Sequence, residues 1–155
     1  ENSKPEKGAT PILTTGKTDA KEILQARIKE AFAKPYKEFI VKSPVAFETP
    51  QDYFIVNYTS KDSYNAGHVQ GAVQYQPKQC LASSTSLYTL PADKKILVNC
   101  DTGLGAAYAV AYLNVIGYDV YNLAYGSNSY MNSTLVEKGW NGWSKEEIKN
   151  FPIVE

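Results

Sequence analysis

Cys100 is the residue of this sequence best placed to do chemistry, because its thiol lies between a strand-like segment and a helix-like one. Residues 95–99 are short, apolar and β-prone, whereas residues 106–113 are good helix formers with an apolar face. Gly103 and Gly105 allow the intervening loop to turn its N–H groups inward, and a helix N-terminus adds positive partial charge there. A thiolate would be stabilised at this position, so the sequence predicts a reactive cysteine.

A structural role is the alternative for Cys100, since free cysteine is often buried and packs as a small hydrophobic side chain. The position favours function, because open α/β sheets bind ligands at the carboxyl ends of their strands. Cys80 has no comparable context, and no spacing signature links the two cysteines as a disulfide. We expect Cys80 to pack in the core, with a resolving role toward Cys100 as the alternative.

Composition and charge exclude several classes of protein. The chain has 16 basic and 16 acidic residues, so no basic surface for nucleic acid or membrane is predicted. No apolar run approaches the roughly 20 residues that span a bilayer. Arg27 is the only arginine, which disfavours phosphate chemistry because arginine is the usual bidentate phosphate ligand. We expect a small or locally bound ligand, with no metal and no cofactor.

The length of 155 residues fits one domain with a single core. Residues 1–15 are polar and rich in Lys, Pro, Gly and Thr, as in a flexible leader left after removal of a signal peptide. We therefore expect an exported bacterial protein, periplasmic or secreted, although a trimmed cytosolic protein would look the same. The predicted division is a flexible leader at residues 1–17, a helical extension at residues 18–38 and a main domain at residues 39–155.

Hydrophobic patterning predicts alternating strands and helices. Thr18 and Asp19 can cap an amphipathic helix over residues 20–33. Strands are predicted over residues 53–58, 72–75, 95–99 and 119–123, and further helices over residues 60–66, 106–113 and 127–138, the second of these ended by Gly117. We expect residues 39–41 to be an apolar piece of a connection, and residues 139–155 to be a tail anchored by Trp140, Trp143 and Phe151. The fold class is α/β: a central, mainly parallel sheet flanked by helices, with an N-terminal helical extension.

Several motifs, taken together in this order, resemble those of the rhodanese-like (sulfurtransferase) domain family. The segment Gly67-His68-Val69-Gln70-Gly71-Ala72 resembles its Gly-His-Ile-x-Gly-Ala signature, and Cys100-Asp101-Thr102-Gly103-Leu104-Gly105 resembles its six-residue catalytic loop. The resemblance covers roughly residues 39–138, including the strand at residues 54–58, the approach at residues 90–94 and the turn at residues 117–126. It implies a single rhodanese-like domain.

Family resemblance also implies a function. Cys100 would attack the outer sulfur of a donor, a small anion such as thiosulfate or a protein persulfide, and carry it as a persulfide to a thiol acceptor. The charged sulfur would be stabilised by backbone N–H groups of the loop, which consists of Asp101, Thr102, Gly103, Leu104, Gly105 and Ala106. His68, the only histidine, and Asn57 are expected to be structural residues near the site.

Departures from the family pattern leave the sulfur donor and the function of the domain open to alternatives. Asp101 would repel an anionic donor unless its side chain points away, so thiosulfate is disfavoured. Asn57-Tyr58-Thr59 stands where an Asp-x-Arg ion pair is common, and Tyr130 where Trp is frequent. A catalytically weak binding or redox-sensing module is therefore the second hypothesis. The phosphatase branch of the fold is discarded, because Ala106 and Ala107 occupy the place of its phosphate-binding arginine.

Overall fold

The computed structural model describes residues 2–152, except for the side chain of residue 147. The described residues form five strands: β1 (Ile40–Val41), β2 (Phe54–Asn57), β3 (Val73–Gln74), β4 (Ile96–Asn99) and β5 (Val120–Leu123). They also form five α-helices: α1 (Ala20–Ala31), α2 (Ser43–Glu48), α3 (Lys61–Ala66), α4 (Leu104–Val115) and α5 (Asn128–Lys138). Single 3₁₀ turns lie at Tyr36–Phe39, Pro50–Asp52, Leu87–Thr89 and Lys145–Glu147.

One parallel sheet holds all five strands in the order β1-β5-β4-β2-β3. All four residues of β4, the central strand, are buried, as expected of a parallel strand covered on both faces. Asn57 of β2 lies beside Asn99 of β4, and Val98 of β4 lies beside Asn122 of β5. The carboxyl ends of three neighbouring strands therefore each carry a buried asparagine, and Cys100 follows the middle one.

Apolar side chains of the strands alternate between two cores. One core joins the sheet to α4 and includes Val56, Ile96, Val98, Val120, Ala106, Val110 and Leu113. The other joins the opposite face to α2 and α3 and includes Ile55, Leu97, Leu123, Ala46, Tyr64 and Val69. Each valine, leucine or isoleucine side chain among them contributes about 1.5–3 kcal/mol when fully buried, so the two cores hold β4, α4 and the loop between them in a fixed position.

The predicted α/β class and the alternation of strands and helices are confirmed. Asp19 caps α1 by accepting hydrogen bonds from the N–H groups of Lys21 and Glu22, and Gly117 follows the end of α4 with a φ of 100°. Residues 39–41 differ from their prediction as a connection, because Ile40 and Val41 pair with β5 as an edge strand. So short a strand depends on its distant partner, which local patterning does not reveal.

The two ends of the chain also differ from expectation. Phe151 is 78% exposed, so the prediction that it anchors the tail is wrong. Trp143 is partly exposed and packs edge-on against Tyr125, with ring centroids 5.4 Å apart. At the other end, Asn2 bridges to Val73 of β3, and the N–H of Gly8 donates to the carbonyl of Tyr88 over 2.8 Å. The leader thus contacts the domain, while its flexibility, the three-part division and the export of the protein stay predictions.

α1 packs against α4 through Arg27 and not through a buried apolar face. None of the residues of α1 is buried. The Arg27 guanidinium donates from Nε to the carbonyl of Val115 over 3.0 Å and from Nη2 to that of Asn114 over 2.7 Å. These are carbonyls of the last turn of α4, so Arg27 satisfies and neutralises the C-terminal end of that helix. Among the described residues, none of the helices is long and apolar enough to cross a membrane.

Candidate active site

Cys100 lies at the turn from β4 into α4, with 6% of its surface exposed. Its Sγ accepts hydrogen bonds from the backbone N–H of Gly103 over 3.1 Å and from that of Ala106 over 3.2 Å. Both donors precede or open the first turn of α4, where backbone N–H groups have no partner within the helix. The positive end of the α4 dipole and two backbone N–H groups therefore converge on the sulfur, an arrangement that is complementary to a negatively charged group.

Two further N–H groups of the same loop have no hydrogen-bond acceptor in the described part of the chain. Within the described residues, the N–H groups of Thr102 and Gly105 have no acceptor, whereas that of Leu104 donates to Thr102 Oγ1 over 3.3 Å. Gly105 also lacks a side chain on the side of the thiol, since a Cβ there would lie 3.6 Å from Cys100 Sγ. The loop thus keeps both open space and hydrogen-bond donors next to Cys100.

The turn after β5 supports the loop from behind. The N–H of Ser127 donates to the carbonyl of Cys100 over 2.8 Å, and Asn128 donates from both its backbone N–H and Nδ2 to the carbonyl of Asp101. Gly126 makes this approach possible, because a Cβ on it would lie 1.9 Å from the carbonyl oxygen of Cys100. Ser127, Asn128 and Gly126 are positioning residues that the sequence analysis did not single out.

Asp101 is held by neutral donors. Its Oδ1 accepts from Ser63 Oγ over 3.1 Å, and its Oδ2 accepts from Asn141 Nδ2 over 3.3 Å. Ser63 belongs to α3 and Asn141 to the segment after α5, so the carboxylate ties three parts of the chain together. Each carboxylate oxygen therefore accepts a hydrogen bond from a neutral side chain.

Neutral side chains occupy the positions where the resemblance described above implies an ion pair. Thr59 Oγ1 donates to Asn57 Oδ1, and both residues are fully or almost fully buried. On the neighbouring strand, Asn99 Nδ2 donates to Ser127 Oγ over 3.1 Å and to Tyr130 Oη over 3.0 Å. Burial raises the pKa of the Tyr130 phenol, so it stays a neutral partner of this network.

His68 contacts its own segment. Its Nδ1 lies 2.8 Å from the carbonyl oxygen of Tyr64, and its ring stacks on that of Tyr64 with centroids 3.8 Å apart. His68 is exposed and does not line the cavity beside Cys100. This geometry fits a turn-fixing role and provides no base for the Cys100 thiol.

A cavity of about 530 Å³ opens over Cys100. Its walls combine apolar and aromatic surface with few charges, and they are formed by Tyr58, Thr59, Ser60, Pro77, Lys78, Asp101, Thr102, Leu104, Gly105, Tyr108 and Asn141. Leu104 and Tyr108 at the rim are 71% and 81% exposed. Lys78 is the one cationic residue of the lining, and its backbone N–H donates to Tyr58 Oη over 2.8 Å.

Cys80 is separate from this site. It is 5% exposed, belongs to the core on the α4 face of the sheet and does not line the cavity. Burial raises the pKa of the Cys80 thiol to about 11, so the thiol is protonated at neutral pH. The described residues contain no group of three or more His, Cys, Asp or Glu side chains that could hold a metal ion.

Comparison with known protein families identifies the family of this chain. The sequence model of the rhodanese-like domain family matches residues 16–146. The chain belongs to the rhodanese-like domain family. A search of the curated proteins finds no match to this rhodanese-like domain.

Solved structures share its fold. A rhodanese-related protein from Thermoplasma volcanium is 19% identical over 64% of this chain and 92% of its own, with a TM-score of 0.52. A rhodanese-like domain protein from Staphylococcus aureus is 16% identical over 59% of this chain and 89% of its own, also with a TM-score of 0.52. A Rhodopseudomonas palustris protein described as a possible tyrosine phosphatase is 16% identical over 82% of this chain and 97% of its own, with a TM-score of 0.51. At these identities the likeness shows the fold alone.

Proposed function

We propose that this rhodanese-like domain is a sulfurtransferase that carries sulfur as a persulfide on Cys100. The observation that supports this most is the pair of N–H groups, from Gly103 and Ala106, that converge on Cys100 Sγ. A negatively charged sulfur is the group that such preorganised dipoles stabilise best. The N–H groups of Thr102 and Gly105 belong to the same loop and have no acceptor among the described residues, so they are donors that an outer sulfur would use.

The reaction has two steps and needs no cofactor. In the first, the Cys100 thiolate attacks the outer sulfur of a persulfide R–S–SH; a new S–S bond forms on Cys100, the donor S–S bond breaks, and RS⁻ leaves with the electron pair. In the second, a thiolate or cyanide attacks the outer sulfur of the Cys100 persulfide. The Cys100 thiolate then leaves, and the acceptor carries the sulfur away. With thiosulfate as donor, sulfite would leave in the first step.

The cavity favours an organic persulfide over thiosulfate as the donor. Its volume of about 530 Å³ lies in the range of pockets that bind drug-sized molecules, and its rim residues Leu104 and Tyr108 offer apolar contact. Thiosulfate is a small dianion that gains little from such a surface. Asp101 adds a negative charge to the lining, and Lys78 is the one cation against it. The donor is therefore inferred to be a thiol compound or protein segment with an apolar body next to its persulfide.

A phosphatase reaction has no support at this site. Ala106 and Ala107 occupy the positions after the loop where a phosphate-binding arginine would be needed. The one arginine, Arg27, is bound to the carbonyls at the opposite end of α4. A helix of 12 residues is about 18 Å long, so the guanidinium is far from a group bound at Cys100.

Intact-mass measurement tests the proposal. The reduced protein is exposed to glutathione persulfide or to thiosulfate, and then to cyanide or dithiothreitol. We expect a gain of one sulfur atom from the persulfide, none in Cys100→Ser, and release of that sulfur as thiocyanate or hydrogen sulfide. Cys80→Ala is the matched control, and it should load normally because its thiol is buried outside the cavity.

A second variant tests the donor preference. Asp101→Asn keeps the shape and one of the two acceptor oxygens but removes the negative charge, so the ratio of thiosulfate loading to persulfide loading should rise in this variant. If neither donor loads the folded protein while iodoacetamide still modifies Cys100, sulfur transfer is excluded. The domain would then be a binding or redox-sensing module.

A further inference from the structure

A second cavity, of about 630 Å³, lies on the other flank of the Cys100 loop. We call it the Asn122 cavity; it is lined by Tyr36, Ile40, Lys42, Ser43, Pro44, Thr102, Gly103, Leu104, Ala107, Asn122, Ala124 and Tyr125. Only Thr102 and Leu104 also line the cavity over Cys100. The volume is that of a small-molecule site, and the turn before β1 forms one of its walls.

Asn122 is the buried polar residue of this cavity, with 4% of its surface exposed. Its Nδ2 donates to the Tyr36 hydroxyl over 2.7 Å and to the carbonyl of Gly103 over 3.0 Å, whereas its Oδ1 has no partner among the described residues. The Gly103 carbonyl fixes this orientation, because a turned amide would set two acceptors against each other. Buried carbonyl oxygens are usually hydrogen-bonded in folded proteins, and Asn122 Oδ1 is one that can still accept a hydrogen bond.

The charge of the lining is one-sided. Lys42 is exposed at the cavity, and no carboxylate residue is among the residues that line it. Ile40, Ala107 and Ala124 supply apolar walls. A ligand complementary to this surface has an apolar body, a negative group for Lys42 and an N–H or O–H for Asn122.

We propose that the Asn122 cavity binds a small amphipathic monocarboxylate that carries an amide N–H or a hydroxyl. The apolar body lies between Ile40 and Ala107, the carboxylate lies near Lys42, and the donor reaches Asn122 Oδ1. Tyr36, which is 48% exposed, lines the same cavity, and its hydroxyl accepts a hydrogen bond from Nδ2 of the same amide.

Occupancy of the Asn122 cavity is coupled to Cys100 through one residue. The carbonyl of Gly103 accepts from Asn122 Nδ2, and its N–H donates to Cys100 Sγ. A ligand that moves the Asn122 amide therefore moves a donor of the thiolate. Binding itself does not rest on sulfur transfer, so it should persist in Cys100→Ser and is testable even if the proposed function fails.

Three related probes test the proposal by NMR titration of the ¹⁵N-labelled full chain. N-acetyl-L-phenylalanine has the ring, the amide N–H and the carboxylate; its methyl ester lacks the charge; 3-phenylpropionate lacks the N–H. We expect N-acetyl-L-phenylalanine to shift the resonances of Lys42, Leu104 and Asn122, and to bind several-fold more tightly than either analogue. Lys42→Gln should abolish the preference over the ester, and Asn122→Ser the preference over 3-phenylpropionate.

Lys78→Gln is the matched control, because Lys78 lines the other cavity, and it should leave all three affinities unchanged. Equal affinities of the three probes for the unmodified protein would overturn the proposal. So would the absence of shifts at millimolar probe, or shifts confined to Tyr58, Lys78 and Tyr108. If Asn122→Ser does not fold, the exposed Lys42→Gln still decides between the two results.

Discussion

Replacing Gly105 by alanine should stabilise the protein and impair its loading with sulfur. Gly105 lies in the first turn of α4 without a positive φ, so alanine fits the backbone there. In the reduced protein the new Cβ would lie 3.6 Å from Cys100 Sγ and 3.7 Å from Cys100 Cβ, which is ordinary contact. The persulfide needs a second sulfur in that neighbourhood, about 2.05 Å from Sγ.

The expected effects of Gly105→Ala on thermal stability and on sulfur loading differ in size and are opposite in sign. Alanine in place of glycine in a helix adds up to about 1 kcal/mol, which for a chain of this size raises the Tm by about 2–4 °C. A carbon atom prefers about 3.5–4.0 Å from its neighbour, so the methyl group and the outer sulfur compete for space, and overpacking of this kind costs about 1–3 kcal/mol. The rate of persulfide formation should therefore fall about 5- to 150-fold.

Thermal unfolding and a time course of intact mass measure both effects on the same samples. Ala111→Gly is the matched control, since Ala111 lies further along α4 and outside the Cys100 cavity; it should lower the Tm and leave loading unchanged. Loading of Gly105→Ala at the unmodified rate, with the Tm raised as expected, would refute the reasoning. The outer sulfur would then not lie beside Gly105.

Three further predictions follow from contacts away from the loop. Arg27→Gln removes the guanidinium from the last carbonyls of α4 and should lower the free energy of unfolding by about 1–3 kcal/mol in urea, with sulfur loading retained; lost loading would contradict a purely structural role. Thr59→Val leaves the buried Asn57 Oδ1 without its donor and should also lower the free energy of unfolding by about 1–3 kcal/mol, which Thr59→Ser should restore. An unchanged urea midpoint in Thr59→Val would be inconsistent with this hydrogen bond. Burial raises the pKa of Cys80 from 9.0 to about 11. The stability that the protonated thiol contributes is therefore present below pH 9 and is lost as the pH rises through 11. The alkaline loss of stability should accordingly be smaller in Cys80→Ala by about 2–3 kcal/mol. Urea unfolding of both proteins at pH 8 and pH 11 measures this difference, and an equal alkaline loss of stability in the two proteins would contradict it.

The sequence predicted the sheet because its strands are local patterns. Residues 54–57, 96–99 and 120–123 are apolar and β-branched enough to be recognised without their partners. β1 is two residues long and was expected as a connection, since its strand character comes only from pairing with β5. Phe151 illustrates the opposite error, because an aromatic residue predicts burial only where the chain returns to a core.

For the site, the sequence predicted the Cys100 loop and not its supports. The loop is contiguous, and its glycines and following helix are visible in one stretch of residues. Ser63 and Asn141, which hold Asp101, are 38 and 40 residues distant from it. Single polar residues so far apart carry no pattern, and only the fold of α3 and of the segment after α5 brings them to one carboxylate.

The neutral groups around Cys100 have a consequence for its reactivity. Asn57 and Thr59 replace an ion pair, and Asn99 is held by two hydroxyl groups, so no buried charge has to be desolvated beneath the loop. The field at Sγ then comes from oriented N–H dipoles at about 3 Å, a range that dissolved salt does not screen. Alkylation of Cys100 by uncharged iodoacetamide should therefore change less than about twofold between 0.05 and 1 M sodium chloride, because the Debye length, which falls from about 14 to about 3 Å, does not become shorter than the distance from these N–H groups to Sγ. A steep dependence on salt would show that an exposed charge, Lys78 or Asp101, controls the thiolate in place of the loop.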